Sequence, residues 1–242
     1  MTQKQYIKQT YNVNTLLSPG STNSKTAKNE IKTFILYMAP GKQNNKKLNL
    51  CPHASDGCLK ACLFSAGRGK FTNVKQSRIN KANFYVNDKK LFLETLLNEI
   101  KKQIKIAKDQ KIAFRLNGTT DIDFVYLFKK HFNFDVKDLK RNVIFYDYTP
   151  NLNRAIRYKD YVNYYIAFSR KEDNQSEVIK ALNNGLNVAT VFDKLPKKYL
   201  GFDVINGDFS DLEMIKHHNK VLGLIAKGEA KKDKSNFVVK TK

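Results

Sequence analysis

The chain has 242 residues, of which 44 are Lys or Arg and 22 are Asp or Glu, so its formal net charge is +22. Hydrophobic residues make up 41% of it, which supports a folded core and excludes a fully disordered chain. The first residues are polar and no apolar run approaches the length of a membrane span, so we expect a cytoplasmic protein without membrane association. The positive charge favours an anionic partner such as nucleic acid, although a Lys-rich composition by itself produces the same excess.

Residues 1–30 are polar and turn-rich, and we interpret them as an N-terminal arm. The apolar run at 32–38 predicts the first strand, which ends before Pro40 and Gly41. The cysteine loop, residues 48–71, follows directly. A helix is predicted from Asn87, since Leu93, Leu96 and Ile100 fall on one face.

All three cysteines of the chain lie in the cysteine loop, as Cys51, Cys58 and Cys62. Disulfides are rare in the cytoplasm, so an odd number of clustered thiols favours metal binding or reactive chemistry. Three interpretations remain open. The thiolates bind a [4Fe–4S] cluster with one iron open, or they bind structural zinc together with His53, or they are buried free thiols.

Short apolar runs then alternate with helical or looped stretches, which is typical of parallel βαβ units. The sequence therefore predicts a single α/β domain at 31–228, a parallel (βα) barrel or partial barrel, with the cysteine loop after its first strand and a charged C-terminal tail at 229–242. The predicted strands are 32–38, 111–116, 142–148, 163–169, 187–193, 201–206 and 220–226.

Polar residues follow these strands. Because ligands of parallel α/β folds bind at the carboxyl ends of the strands, we expect these side chains to share one mouth with the cysteine loop. The carboxylates are candidate catalytic groups, and the amide, hydroxyl and glycine positions are candidate cofactor-binding groups. The first set is Asp121, Asp147, Asp193 and Asp208, and the second is Asn117, Gly118, Thr149, Ser169 and Asn206.

A basic strip with interleaved aromatic residues follows the cysteines. Charge and stacking together are the means by which proteins bind single-stranded nucleic acid, so the strip is a candidate for nucleic-acid or phosphate contact, although its aromatic residues also suit a core. Its cations are Arg68, Lys70, Lys75 and Arg78.

The layout "KTFILYMAPG", "CPHASDGCLKACLFSAGRGKF", "FRLNGTTDI" and "VIFYDYT" resembles the phage gene product 88 domain family over about residues 30–228. This resemblance implies a phage or prophage protein. A looser similarity is to radical S-adenosylmethionine enzymes, which place three cluster cysteines after the first strand of a partial barrel. That similarity implies cluster ligation by Cys51, Cys58 and Cys62, with S-adenosylmethionine as cosubstrate near Asn117, Gly118 and Asp121. The spacing C-x6-C-x3-C departs from the usual C-x3-C-x-aromatic-x-C of those enzymes.

Two functions follow as hypotheses. The first is a phage-type iron–sulfur enzyme that resembles radical S-adenosylmethionine enzymes and uses a small-molecule cosubstrate. Its substrate is open, with a nucleotide or a nucleic acid as candidates. The second is a basic nucleic-acid-binding accessory protein in which zinc at the same cysteines braces a loop.

Overall fold

The computed structural model describes residues 1–22 and 31–241. Within these ranges one nine-stranded sheet is flanked by α-helices. The strands are β1 (Leu17–Pro19), β2 (Lys32–Leu36), β3 (Ile112–Arg115), β4 (Val143–Thr149), β5 (Tyr164–Ser169), β6 (Val188–Phe192), β7 (Lys198–Tyr199), β8 (Phe202–Asn206) and β9 (Val221–Ile225). The helices are α1 (Gln3–Tyr11), α2 (Asp56–Lys60), α3 (Thr72–Asn87), α4 (Lys89–Ala107), α5 (Phe124–Phe132), α6 (Leu152–Tyr158), α7 (Gln175–Asn183) and α8 (Glu213–Lys216).

The strand order across the sheet is β1-β2-β3-β4-β5-β6-β9-β8-β7. The seven strands from β2 to β8 in this order pair in parallel. Six of them lie inside a predicted run, and β4 extends one residue beyond its run, to Thr149. The predicted barrel is not confirmed, because the sheet stays open. Antiparallel pairing adds β1 beside β2 and β7 beside β8, and these short strands form the two edges.

The helices from α3 to α7 cover one face of the sheet and contribute to the same hydrophobic core as α1. A row of three in-register phenylalanines crosses this face, with ring centroids 5.9 Å apart from Phe34 to Phe114 and 5.2 Å apart from Phe114 to Phe145. Burial of each such side chain contributes about 2–3 kcal/mol, so this face holds much of the stabilising apolar contact. A smaller cluster of buried residues lies on the opposite face.

The predicted amphipathic helix is present as α4, whose Leu93, Leu96 and Ile100 are buried as expected. It begins at Lys89 and not at the predicted Asn87, because α3 runs to Asn87 and Asp88 is the residue before α4. None of the helices in the described ranges is long and apolar enough to cross a membrane.

The two ends of the described chain pack on the domain. Tyr11 of α1 stacks on Phe84 of α3 with centroids 4.7 Å apart. At the other end, the Val239 N–H donates to the Val191 carbonyl at 2.8 Å, and Arg170 donates to the carbonyl oxygens of Asn236 and Phe237. The C-terminal residues therefore lie beside the end of β6, where one isolated parallel bridge joins Phe192 and Val239.

Candidate functional site

The cysteine loop lies at the carboxyl edge of the parallel strands, because it follows β2. Its short helix α2 begins after Ser55, whose hydroxyl accepts from the Cys58 N–H at 3.2 Å. Glu172, in the segment after β5, accepts from the Ser55 hydroxyl at 2.6 Å and from the Gly57 N–H at 2.8 Å. A carboxylate from the segment after β5 thus fixes the start of the helix that carries Cys58.

The three thiols lie close enough to perturb one another. Burial, with the neighbouring Cys62 and Cys51 as the next causes, raises the pKa of Cys58 to about 12. Burial also raises the pKa of Cys51 to about 12, and raises that of Cys62. Metal-free, the site is therefore a cluster of neutral thiols at neutral pH, and a bound metal must displace their protons.

Backbone N–H groups point at two of the sulfurs. The Gly41 N–H donates to Cys51 Sγ at 3.5 Å, and the Phe64 N–H donates to Cys62 Sγ at 3.5 Å. The Cys51 thiol donates to the Thr119 carbonyl at 3.7 Å. Hydrogen bonds to sulfur are one of the means by which a protein tunes an iron–sulfur centre, because they offset the negative charge of the thiolates.

Arg78 places a positive charge beside this loop. Its guanidinium lies 4.8 Å from the Tyr37 ring centroid and 5.7 Å from that of Phe64, and it donates to the Phe64 carbonyl at 3.3 Å. Its charge acts to lower the pKa of Cys62, against the larger effect of burial. The predicted contact of Arg78 with nucleic acid is therefore replaced by an inward one, since the residue is buried.

A buried ion network lies next to the cysteines. The sequence pattern predicted its carboxylates but not its cation. Arg154 of α6 donates to Asp121 Oδ1 at 2.7 Å and to Asp147 Oδ2 at 3.2 Å. The side chain of Asn117 donates to Asp147 Oδ2 at 2.8 Å, and the Thr149 hydroxyl donates to Asp121 Oδ1 at 2.8 Å. Four predicted site residues thus converge, with Arg154 as the link between them.

The two carboxylates of this network differ in their surroundings. Burial raises the pKa of the Asp147 carboxyl, and Arg154 acts in the opposite direction. Asp121 Oδ2 is buried and has no hydrogen-bond partner among the described residues. Asp121 also lies near enough to Cys51 and Cys58 to raise their pKa values. Its second oxygen is thus an unused acceptor close to the thiols.

Gly118 has a steric role. A Cβ there would lie 2.4 Å from the Tyr37 ring and 2.9 Å from the Leu36 carbonyl oxygen. The Gly118 N–H also donates to that carbonyl at 2.9 Å, so the glycine lets the segment after β3 pass directly against the end of β2.

The remaining strand-end residues lie outside this network. Asp193 accepts from the backbone N–H and hydroxyl of Thr241, and the backbone hydrogen bond from Thr241 is the main cause that lowers its pKa. Asp208 accepts from the Ile225 N–H and from Lys227, and Asn206 accepts from the Asp208 N–H. Ser169 offers its carbonyl to Asn174. These groups make structural hydrogen bonds near the ends of the strands β5, β6 and β8.

The outer part of the basic strip is accessible. Arg68 and Lys70 are exposed in a 3₁₀ turn at Gly67–Lys70, and Lys75 is half-buried on α3. Phe71 between them is exposed over 61% of its surface, and Leu63 over 53%. This exposed rim is the part of the strip that is open to an incoming molecule.

His53, the fourth ligand of the zinc hypothesis, is exposed, and its Nε2 lies 2.9 Å from Asn151 Nδ2. Both residues line a pocket of about 330 Å³ between the cysteine loop and the start of α6. In the described ranges, no three His, Cys, Asp or Glu side chains are grouped so that they could hold a metal ion as they stand.

Sequence reasoning missed Arg154, Glu172 and Arg115. Arg115 could have been found from the sequence, because a charged residue at the end of the apolar strand β3 is unusual. Arg154 sits in a short segment with no helical periodicity of its own, and Glu172 is one of many charged loop residues, so neither stands out in the sequence.

The family model described as Gene product 88 matches residues 9–241. No curated protein and no solved structure matches the chain.

Proposed function

The chain belongs to the Gene product 88 family of phage proteins, and we propose that it is an iron–sulfur enzyme that holds a [4Fe–4S] cluster through Cys51, Cys58 and Cys62. The observation that supports this most directly is that all three thiols lie in one loop at the carboxyl edge of the parallel strands, near enough that Cys62 acts on the pKa of both Cys51 and Cys58. As they stand the sulfurs are not grouped around a metal, so the loop would have to draw them together as a cluster binds. Ligands of parallel α/β folds bind at that edge.

The donor set fits a cluster. Thiolates are the usual ligands of such a centre, and two of these sulfurs already accept backbone N–H groups. The Arg78 guanidinium beside Cys62 offsets part of the negative charge that three thiolates bring into a buried site. His53 is turned to Asn151, which favours a three-cysteine set over the zinc set with His53.

A cluster with three protein ligands supplies electrons and one iron site that is open to a small molecule. Beside that position, Asp121 would accept a cationic group of a cosubstrate through its unused Oδ2, and the amino group of S-adenosylmethionine is such a group. Arg154 and Thr149 hold the other oxygen, so the carboxylate is fixed in orientation before a ligand arrives. The radical S-adenosylmethionine-like activity is the part of the proposal that depends on this contact.

The deciding experiment is an absorption spectrum and metal analysis of protein purified without oxygen. We expect a brown protein with about four irons per chain and an absorption band at about 400 nm. Cys51→Ala, Cys58→Ala and Cys62→Ala should each lose the iron, and His53→Ala should keep it. About one zinc per chain that is lost in His53→Ala would refute the cluster and support the structural zinc site.

If the iron is present, the enzymatic part is tested by adding reductant and S-adenosylmethionine and measuring cleavage of the cosubstrate. Asp121→Asn is the informative variant, since it keeps the shape of the side chain and removes its charge. We expect normal iron content with weakened cosubstrate binding. If iron-loaded wild-type protein neither binds nor cleaves S-adenosylmethionine, the enzymatic part of the proposal is refuted. The protein would then be an iron–sulfur protein of another class.

The exposed rim favours the second candidate function, binding of single-stranded nucleic acid. Phe71 offers a ring for base stacking, and Arg68 and Lys70 offer charge beside it. Fluorescence anisotropy with a labelled oligothymidylate measures this. Phe71→Ala should weaken binding by about 1–3 kcal/mol, whereas equal affinity in Phe71→Ala and in the wild type would reduce the interaction to non-specific charge.

A further inference from the structure

A segment that we name the strap, defined as residues 207–219, lies across the sheet face opposite the main helices. Leu212 and Met214 of the strap are buried against this face, in the cluster that includes Ile144. Near its end, the side chain of Asn187 donates to the carbonyl oxygens of Met214 and His217 at 3.0 and 2.6 Å. The strap therefore lies on a face that the helices α3 to α7 leave uncovered.

A polar cluster lies beneath the strap. Arg115 at the end of β3 donates to Asp211 Oδ2 at 3.1 Å, and the Tyr148 hydroxyl donates to Asp211 Oδ1 at 3.4 Å. The Arg115 guanidinium also lies 4.7 Å from the Tyr148 ring centroid. The carboxylate that meets these donors belongs to the strap, whereas the donors belong to the sheet.

The cluster contains more donors than the Asp211 carboxylate uses. The Tyr146 hydroxyl is fully buried, lies in the electrostatic field of Asp211 and Arg115, and has no hydrogen-bond partner among the described residues. Arg115 Nε is buried without a partner as well. A buried hydroxyl without a partner costs about 1–3 kcal/mol, so its retention points to a ligand that satisfies it.

We propose that Arg115, Tyr146 and Tyr148 form a binding site for the phosphate group of a small molecule, and that Asp211 occupies this site until the ligand displaces it. A phosphate has enough oxygens to accept two N–H groups of the Arg115 fork and both tyrosine hydroxyls at once. With Asp211 in place, the bond from Tyr148 is long at 3.4 Å, and the Tyr146 hydroxyl and Arg115 Nε stay without a partner among the described residues. A phosphate would satisfy more of these donors than the carboxylate does.

The location links this site to the cysteine loop. Tyr37, at the end of β2, lies within electrostatic reach of Tyr146 and Arg115 on one side and packs on Arg78 on the other. Arg78 in turn is the cation that acts on the pKa of Cys62. Tyr37 therefore lies between the proposed phosphate site and the cysteine loop. The phosphate site itself requires no metal, so it is tested separately from the proposed cluster.

The test is isothermal titration of the full-length protein with inorganic phosphate at constant ionic strength. Asp211→Asn removes the competing carboxylate and should bind phosphate at least about tenfold more tightly than the wild type, because the open state becomes more populated. Asp203→Asn is the matched control, since it removes a carboxylate from an ion pair with Lys220 on the surface. We expect it to bind phosphate like the wild type.

Tyr146→Phe identifies the site directly. It deletes a hydroxyl that has no partner, so it should leave stability unchanged or higher, and yet in the Asp211→Asn background it should weaken phosphate binding by about tenfold. Equal phosphate affinity with and without the Tyr146 hydroxyl would overturn the proposal, as would acetate binding that is as tight as phosphate binding.

Displacement of Asp211 from the site can also be measured in the wild-type protein, as movement of the strap. In wild-type protein, saturating phosphate should speed hydrogen exchange of the amides of residues 208–219, compared with sodium chloride at the same ionic strength. Unchanged exchange in the strap would refute displacement of Asp211.

Discussion

Replacement of Arg154 by Met is the sharpest test of the buried ion network. The side chains of Arg154, Asp121 and Asp147 are 4%, 6% and 3% exposed, so Arg154→Met leaves two carboxylates buried without their cation. Removal of one partner of a buried ion pair costs about 3–5 kcal/mol. We expect the free energy of unfolding to fall by that amount near neutral pH.

The pH dependence follows from the same contacts. Burial already raises the pKa of Asp147, and loss of Arg154 removes the cation that opposes this. A carboxyl whose folded pKa lies above its unfolded value stabilises the fold below the unfolded pKa, and this contribution is lost as the pH rises. The destabilisation by Arg154→Met should therefore be smaller near pH 5 than near pH 7.5, with a slope of up to about 1.4 kcal/mol per pH unit for the Asp147 carboxyl.

The assay is urea unfolding followed by circular dichroism at both pH values. Arg157→Met is the control, because Arg157 lies on the same helix and pairs with Asp123 at 3.2 Å, but its side chain is 56% exposed. That pair should contribute less than about 1 kcal/mol. If Arg154→Met does not fold, Arg154→Lys keeps the charge and allows the comparison. Equal losses in the Arg154 and Arg157 variants, or a loss that does not shrink at low pH, would refute the reasoning.

Three further predictions concern the cysteine loop and its surroundings. Burial raises the pKa of Cys51 and Cys58 from 9 to about 12, so at pH 8 these two thiols carry about a thousandfold less thiolate in the metal-free folded protein than in the unfolded chain. Iodoacetamide should therefore label them at least about tenfold more slowly in the folded protein, as read by peptide mass spectrometry, and equal rates would contradict their burial. Glu172→Gln weakens the hydrogen bonds that hold the start of α2 and should speed hydrogen exchange over residues 55–60. Glu229→Gln, at an exposed position, should leave that exchange unchanged. Unchanged exchange in both variants would show that Glu172 does not hold the cysteine loop. Gly118→Ala should cost about 1–3 kcal/mol in thermal or urea unfolding because its Cβ meets Tyr37 and Leu36, and a neutral effect would show that the two segments can separate at no cost.

Much of the fold follows from local pattern. The seven parallel strands match the predicted runs to within one residue, because short apolar segments of this length between turn residues are typical of buried parallel strands. The place of the cysteine loop after the first parallel strand was predictable for the same reason. The convergence of Asn117, Asp121, Asp147 and Thr149 also agrees with the expectation that polar groups after neighbouring parallel strands meet.

The order of the strands and the open edge depended on long-range contacts. Strand β9 pairs between β6 and β8, so the last parallel strand lies inside the sheet and the edges are held by the short strands β1 and β7. Local propensity carries no information on which of two parallel neighbours a strand selects, because the pairing is fixed by the packing of whole elements. The predicted barrel closure therefore exceeded what the sequence pattern could support.

The sequence by itself determined the strands, the cysteine loop and an excess of positive charge, since each of these is a property of neighbouring residues. Only the tertiary structure decided which polar groups share a site. Along β4, Asp147 faces the helices and meets Arg154, while Tyr146 and Tyr148 face the strap and meet Arg115 and Asp211. Successive side chains of a strand point to opposite faces, so one polar stretch serves two separate clusters, and the partner on each face comes from a distant part of the chain.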